Sequence, residues 1–437
     1  MKKIFQYIML AVVTIVMASC TSDIEETTAT TGKSNVQLVV GEFPAFGDSQ
    51  TRAIGTPDEG KTSWAVGDEL LLEIDNTFYG KQYATFTYNG KSWELTSGEL
   101  VYREGDPAYI PHVYYAPNYK WEAGKLVLKE GKVAGTDEYI EGTAQITPNG
   151  EAITVKFSGA TRNYSRLRIA TMPNKPITVT IDRYTPAGSS DMKWDQNYAL
   201  TSDEKGNAYL YGNFVTNSRV DVKYGEAPLA THKFSQATVN AKSYALDATV
   251  VSLTDEGITY DQIVEDVKKE LDAGKTYINI ILAPDVDEET LEAIHIGLRE
   301  GEANDWSINL TLIGCKKIPS GGFMYWKMLK SIALPDVTEI EGNAFLDCTG
   351  LQKVVLGNLT KVYGNVRENG IFDGLDTKYI DLVLSEDQKV MNGGEAEDGR
   401  YCWTADIITD YALSNEHYNK KFLGYEFKSI TCRYKFE

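Results

Sequence analysis

The chain has 437 residues, enough for about three domains. Its formal charge of −19 makes a surface that repels phosphate backbones and anionic headgroups, which excludes nucleic acid and anionic lipid surfaces as partners. Aromatic residues are plentiful, with 27 tyrosines, and beyond the N-terminal leader no stretch is long and apolar enough to span a bilayer.

At the start, Lys2 and Lys3 precede an apolar run from Ile8 to Met17, followed by Ala18, Ser19 and Cys20. A basic end, a short apolar core and small residues make a secretory signal over 1–19. The apolar core falls short of the roughly 20 residues a spanning helix needs. A cysteine directly after small residues resembles a bacterial lipobox, in which Cys20 is lipidated and becomes the first mature residue. Losing Lys2 and Lys3 with the leader leaves the remainder two charges more negative. Residues 20–35 are polar and threonine-rich, too poor in apolar surface to order themselves, and read as a tether. Asp23, Glu25 and Glu26 resemble the surface-export signals of Bacteroidota lipoproteins. The expected location is the outer membrane, held by the lipid alone and facing the exterior.

From Val36 the pattern becomes short alternating runs. Gln37 to Val40 and Glu69 to Ile74 read as strands. Ala84, Phe86 and Tyr88 alternate with threonines, and Asn89-Gly90 then turns the chain into Trp93 and Leu95, a hairpin signal. A second set of strands begins near Ala152 with Ile153, Val155 and Phe157, and continues through Leu167–Ala170, Ile177–Ile181, Tyr209–Tyr211 and Arg219–Val222. Turn residues recur about every ten positions, as in β-sandwiches. A boundary at Thr147-Pro148-Asn149-Gly150 gives two modules, 36–148 and 149–252.

Thr51-Arg52-Ala53, followed by Trp64-Ala65-Val66-Gly67-Asp68 and a buried strand, resembles the opening of the fimbrillin-like (Mfa-like) surface proteins of Bacteroidota. Val155-Lys156-Phe157 with Leu167-Arg168-Ile169 is similar to the start of their second domain. The resemblance covers roughly 35–250. It implies two tandem transthyretin-like β-sandwiches and a fimbrial subunit, anchor or related surface protein. It also implies that an arginine-specific protease cuts after Arg52 before subunits join by strand exchange. A further domain after 252 departs from typical pilins and counts against polymerisation.

After about residue 255 the period changes. Thr259-Tyr260-Asp261 precedes Ile263, Val264, Val267 and Leu271, a helical stripe ended by Gly274. A strand at Ile278–Leu282, a helix carrying Leu291, Ile294 and Leu298, and a strand from Trp306 to Leu312 follow. Then a repeat appears. Leu329-Lys330-Ser331-Ile332-Ala333-Leu334 matches Leu351-Gln352-Lys353-Val354-Val355-Leu356 at an offset of 22, and Leu310, Leu312, Cys315 and Ile318 match one copy upstream. Phe323 and Phe345 also lie 22 apart; Phe372 comes 27 later, so one copy carries an insertion near Asn365 to Gly370. Such a period predicts a solenoid whose copies bury their faces by stacking. Asn343-Ala344-Phe345-Leu346-Asp347-Cys348-Thr349-Gly350-Leu351 resembles the BspA-like leucine-rich repeats. The expected fold is thus mostly β: two β-sandwiches, then a small α/β repeat domain over 253–437, with the helices capping one end and 385–437 the other.

Chemistry is scarce. Gly55 to Thr62 fits the P-loop pattern, but strand–loop–helix context is missing, and Asp58 and Glu59 would oppose phosphate. His112, His232, His295 and His417 show no paired zinc spacing. Glu395-Ala396-Glu397-Asp398 lacks the alternating order of a calcium loop. Cys315 and Cys348 fall in apolar patterns and read as core thiols; Cys402 and Cys432 are either a pair or free. We expect no catalytic residue, cofactor or metal. The expected function is a non-enzymatic surface adhesin or fimbrial accessory binding a host or bacterial surface protein or glycan, or other fimbrial subunits. The alternatives are a glycan-capture lipoprotein serving a polysaccharide transporter and a structural pilus subunit or anchor.

Overall fold

The computed structural model describes residues 36–44, 46, 60–102, 105–147, 152–157, 162–225, 227–254, 257–301, 307–365, 368–410 and 420–433. Cys20, Arg52 and His417 lie outside the described residues. The described chain is mostly β with two α-helices. It divides into two compact units with the boundary at 163/164.

The first unit is built on a curled sheet of seven strands, with Tyr119–Glu122 and Lys125–Leu128 paired as a separate two-stranded ribbon. Their order across it is Gln37–Val40, Ala152–Lys156, Ile140–Ile146, Ala108–Tyr115, Glu69–Asn76, Gly80–Tyr88 and Trp93–Gly98. Alternation puts Leu38, Leu70, Leu72, Ile74, Phe86 and Val155 on the inner face, where they form one core. The Asn89-Gly90 hairpin forms as read, with Tyr88 opposite Trp93 and Gly90 at φ +97°.

The module boundary needs correction. The strand Ala152–Lys156, read as the start of the second module, pairs on both sides inside the first unit: Leu38 faces Ile153, and Ile146 faces Ile153 from the other edge. Thr147 donates its N–H to Ala152 O, and the strands that end and begin on either side, Ile140–Ile146 and Ala152–Lys156, are antiparallel neighbours in one sheet; residues 148–151 lie outside the described residues. Alternation identifies a strand but not its partner; Asn-Gly between two strands was the available signal.

The second unit holds both the later β-module and the repeats. In the module the sheet order is Ala227–Lys233, Arg219–Tyr224, Pro176–Pro186, Asn207–Phe214, Ser165–Ala170 and Ser243–Asp247, with Lys193–Thr201 also on Pro176–Pro186. The long strand Pro176–Pro186 changes partner along its length. Thr178–Ile181 lie against Val220–Lys223, whereas Tyr184–Pro186 lie against Gly212–Phe214.

Next comes α1 (Tyr260–Asp272), opened by a capping box: Gln262 N donates to Thr259 Oγ1, and Thr259 N donates to Gln262 Oε1. It buries Ile263, Val264, Val267 and Leu271, the stripe read from the sequence. Asp287 caps α2 (Glu288–Glu300), which buries Leu291, Ile294 and Leu298 in the same core. A parallel sheet then runs Val251–Ser252, Tyr277–Ile281, Ile308–Ile313, Leu329–Leu334, Lys353–Leu356, Asp381–Ser385 and Ser429–Arg433. The offset of 22 becomes register: Leu310 faces Ile332, and Ile332 faces Val354. Val354 faces Leu382, 28 residues on, so the longer copy is accommodated in the connection and the strands stay aligned. A second sheet on the other edge repeats the offset, with Ile318 facing Ile340 and Ile340 facing Val362. It ends in the antiparallel strands Lys389–Glu395 and Tyr401–Asp410.

Between the sheets, Phe323, Phe345 and Phe372 stack face to face at 5.4 and 5.3 Å. The turns repeat as well. Gly321, Asn343 and Asn369 all have positive φ, at +66°, +59° and +53°.

Candidate functional site

The Trp64-to-Asp68 motif is a structural corner of the first unit. The Asp68 carboxylate accepts from Lys61 Nζ at 2.6 Å, from Ala65 N at 2.7 Å and from the Tyr115 hydroxyl at 3.1 Å. Gly67 sits at φ +92°, where a side chain would be strained, and its N–H donates to Tyr88 O. Trp64 donates its indole N–H to Gly41 O and meets Phe43, Trp93 and Tyr115 edge-on. Lys61, the lysine of the P-loop-like match, is therefore held by Asp68 and lies over the Phe43 and Tyr115 rings. Over the same Phe43 ring lies Arg162, part of a buried ion pair that sequence reading missed: its Nε and one terminal nitrogen donate to Glu138 at 3.1 and 3.2 Å.

The other singled-out residues are likewise absorbed by structure. Cys348 donates to Phe323 O, and burial pushes its thiol up to about 12. Burial also lifts the Cys315 thiol, to about 11. All four described cysteines are free, and Cys402 and Cys432 belong to different sheets. His295 stacks on Trp326 at 4.7 Å; burial and then the Arg299 charge bring its imidazole down to about 4. His232 packs edge-on against Phe234, and burial lowers it too. Asp398 holds the backbone N–H and guanidinium of Arg400, which draw its carboxyl below the usual range.

The candidate site lies inside the second unit, where the β-module meets the outer face of the parallel sheet. Three side chains fix that seam. Asn279 Nδ2 donates to Leu229 O at 2.9 Å and to Thr249 O at 3.1 Å, and Thr311 Oγ1 donates to Pro228 O at 2.9 Å. Ile313 joins the module's own core. Beside the seam opens a cleft of about 610 Å³, within the range of about 300–1,000 Å³ common for small-molecule sites. One wall is a row straight across the sheet. Tyr277 faces Asn309, Asn309 faces Ser331, Ser331 faces Lys353, and Lys353 faces Asp381. Two residues further along, Ala333, Val355 and Val383 form a buried apolar row. The module supplies the opposite wall, including Thr180, Asn197, Arg219, Asp221, Lys223 and Thr231.

The acids of the cleft are already engaged. Asp221 accepts from Arg219 and, at 2.7 Å, from Thr231 Oγ1. Asp381 accepts from Lys428 at 2.8 Å and Ser429 at 2.5 Å. Burial works against its charged form, but these donors and the Lys428 and Lys353 charges outweigh it and hold the carboxyl below the usual range. Sequence reading noticed the repeat copies but not this row. Polar residues at matching positions, Asn309, Ser331 and Lys353, were the signal. Among the described residues no group of three or more His, Cys, Asp or Glu is placed to hold a metal ion, and no helix is long and apolar enough to cross a membrane. Compared with protein-family models, with curated proteins and with solved structures, the chain matches none.

Proposed function

We propose that this chain is a non-enzymatic lipoprotein displayed on the surface of a Bacteroidota cell, and that it recognises its ligand through the cleft between the second β-module and the repeats. In this reading both β-modules are fimbrillin-like, transthyretin-like sandwiches and the C-terminal part is a BspA-like leucine-rich repeat solenoid. The parallel pairing of first with last strand in each module supports the sandwich reading: Gln37–Val40 on Ala152–Lys156, and Ser165–Ala170 on Ser243–Asp247. The stacked phenylalanines and the 22-residue register support the solenoid. The observation that carries recognition is the hydrogen-bonded seam, which fixes two walls of different origin around one polar cavity. The motif ending at Cys20 supports lipid attachment. The test is radiolabelled palmitate incorporation together with proteinase K treatment of intact cells. Lipid label and surface digestion are expected for the native chain, and loss of label for Cys20→Ala. Unlabelled protein protected inside the cell would overturn the reading.

A structural pilus subunit is the second reading. A cut after Arg52 would remove Gln37–Val40, an edge strand whose Leu38 is fully buried, and would open the Ala152–Lys156 edge to a replacement strand. N-terminal sequencing of surface-purified protein distinguishes them: Ala53 first for the subunit, a blocked Cys20 for the anchored receptor.

A further inference from the structure

We infer that the cleft binds an acidic oligosaccharide, a short extended chain of uronate or sulfated sugars. The inference rests on the recognition reading above and narrows it to a ligand class. Charge is the first argument. Four cations, Arg219, Lys223, Lys330 and Lys353, line the cleft against two acids, Asp221 and Asp381. Arg219 and Asp221 hold each other, and Asp381 is held by Lys428 and Ser429 from outside the lining, so the positive excess is carried by the three lysines. Lys330 is exposed and makes no ion pair among the described residues. A cleft with this positive excess on a chain of charge −19 runs against the whole surface, and a local excess of one sign of charge favours ligands of the opposite sign.

Shape is the second argument. The row Tyr277, Asn309, Ser331, Lys353, Asp381 takes one residue from each of five adjacent parallel strands, and such strands lie about 4.8 Å apart. A single small anion would use one or two of these positions. An extended saccharide advances by a similar step per sugar, so successive rings meet successive strands. Chemistry is the third. Tyr277 offers a ring at one end for stacking against a sugar face. Along the walls, the exposed Gln352 amide can both donate and accept, as sugar hydroxyls require, while Thr180 Oγ1 donates to Asn197 Oδ1 and Ser331 Oγ to Asn309 Oδ1, bonds that orient the remaining Asn197 amide N–H and the hydroxyl lone pairs. Lys330 and Gln352 stand one residue before Ser331 and Lys353, and Gln352 N donates to Lys330 O, so charge and amide are held beside the row.

The test is titration calorimetry on the purified full-length protein with tetragalacturonate, a chondroitin sulfate tetrasaccharide, neutral maltotetraose and inorganic sulfate. Saturable binding of at least one acidic tetrasaccharide is expected, weakening as salt rises, with no binding of maltotetraose or sulfate. Lys330→Glu should weaken it by about tenfold or more through a reversed charge at close range. Tyr277→Ala should weaken it at all salt concentrations, while both variants keep the native unfolding midpoint. Binding unchanged by Lys330→Glu, binding by sulfate alone, or binding by neither acidic tetrasaccharide overturns the inference. Maltotetraose binding that Tyr277→Ala abolishes would overturn the acidic class yet leave recognition through the cleft standing; sugar binding untouched by either variant would remove both.

Discussion

Asp68 illustrates how a short signature can be all structure. Its carboxylate gathers a nearby ammonium and backbone N–H and a phenol 47 residues on. Asp68→Ala leaves the partly buried Tyr115 hydroxyl and Ala65 N–H without an acceptor, and should cost about 2–4 kcal/mol in urea unfolding. Asp68→Asn keeps one acceptor and should cost less; equal losses would show that volume and not hydrogen bonding matters there. His295 makes a pH argument. Its folded imidazole is held down to about 4 by burial and Arg299, whereas an unfolded one takes its proton near pH 6.5. Between these values the unfolded state binds more protons, so the contribution is complete above pH 6.5 and is lost as pH falls toward 4. His295→Phe should flatten the stability curve in that window relative to the native chain; parallel curves would refute it. Asn343, at φ +59°, donates to Asn369 Oδ1. Asn343→Val should destabilise by about 1–2 kcal/mol, because a β-branched side chain fits this backbone poorly. Asn343→Gly, judged by the same urea midpoint, should be nearly neutral.

At the scale of elements the repeats stand on their phenylalanines. Phe345 has a ring on each side and is fully buried. Phe345→Ala should cost about 3–5 kcal/mol, since neither neighbour can close the gap without leaving its own turn. Calorimetry of the transition of the second unit checks this, and a loss below about 1 kcal/mol would mean that the stack is incidental. These elements were legible because each copy states the same pattern, and Leu310, Ile332 and Val354 had only to be aligned. The helices were legible through their caps and stripes. The strand Ala152–Lys156 was legible as a strand and misplaced in the chain's organisation, because its partners Gln37–Val40 and Ile140–Ile146 lie on both sides of it and one is more than a hundred residues away. The cleft was not legible. The seam that forms it uses the backbone carbonyls of Pro228, Leu229 and Thr249, which any residue would have supplied.

That seam sets the behaviour of the whole second unit. A repeat stack alone would unfold by its own nearest-neighbour energetics, and a β-module alone by its own core. Here Ile313 of the repeat sheet belongs to the module's core, and Asn279, almost fully buried, donates twice across the junction. The two halves should therefore unfold in one transition. Asn279→Leu keeps the volume and removes both donors, leaving two carbonyls unpaired at a cost of about 2–4 kcal/mol. Adding Thr311→Val removes the third bond with little change of shape. In scanning calorimetry the double variant should separate a lower module transition from an upper repeat transition, because the shared term is lost while each core stays whole. A single, equally cooperative peak in the double variant would mean that apolar contact around Ile313 alone couples the halves. The cleft geometry depends on the same bonds, so the double variant should also lose ligand binding at temperatures below either transition, when both halves are still folded but no longer fixed against each other.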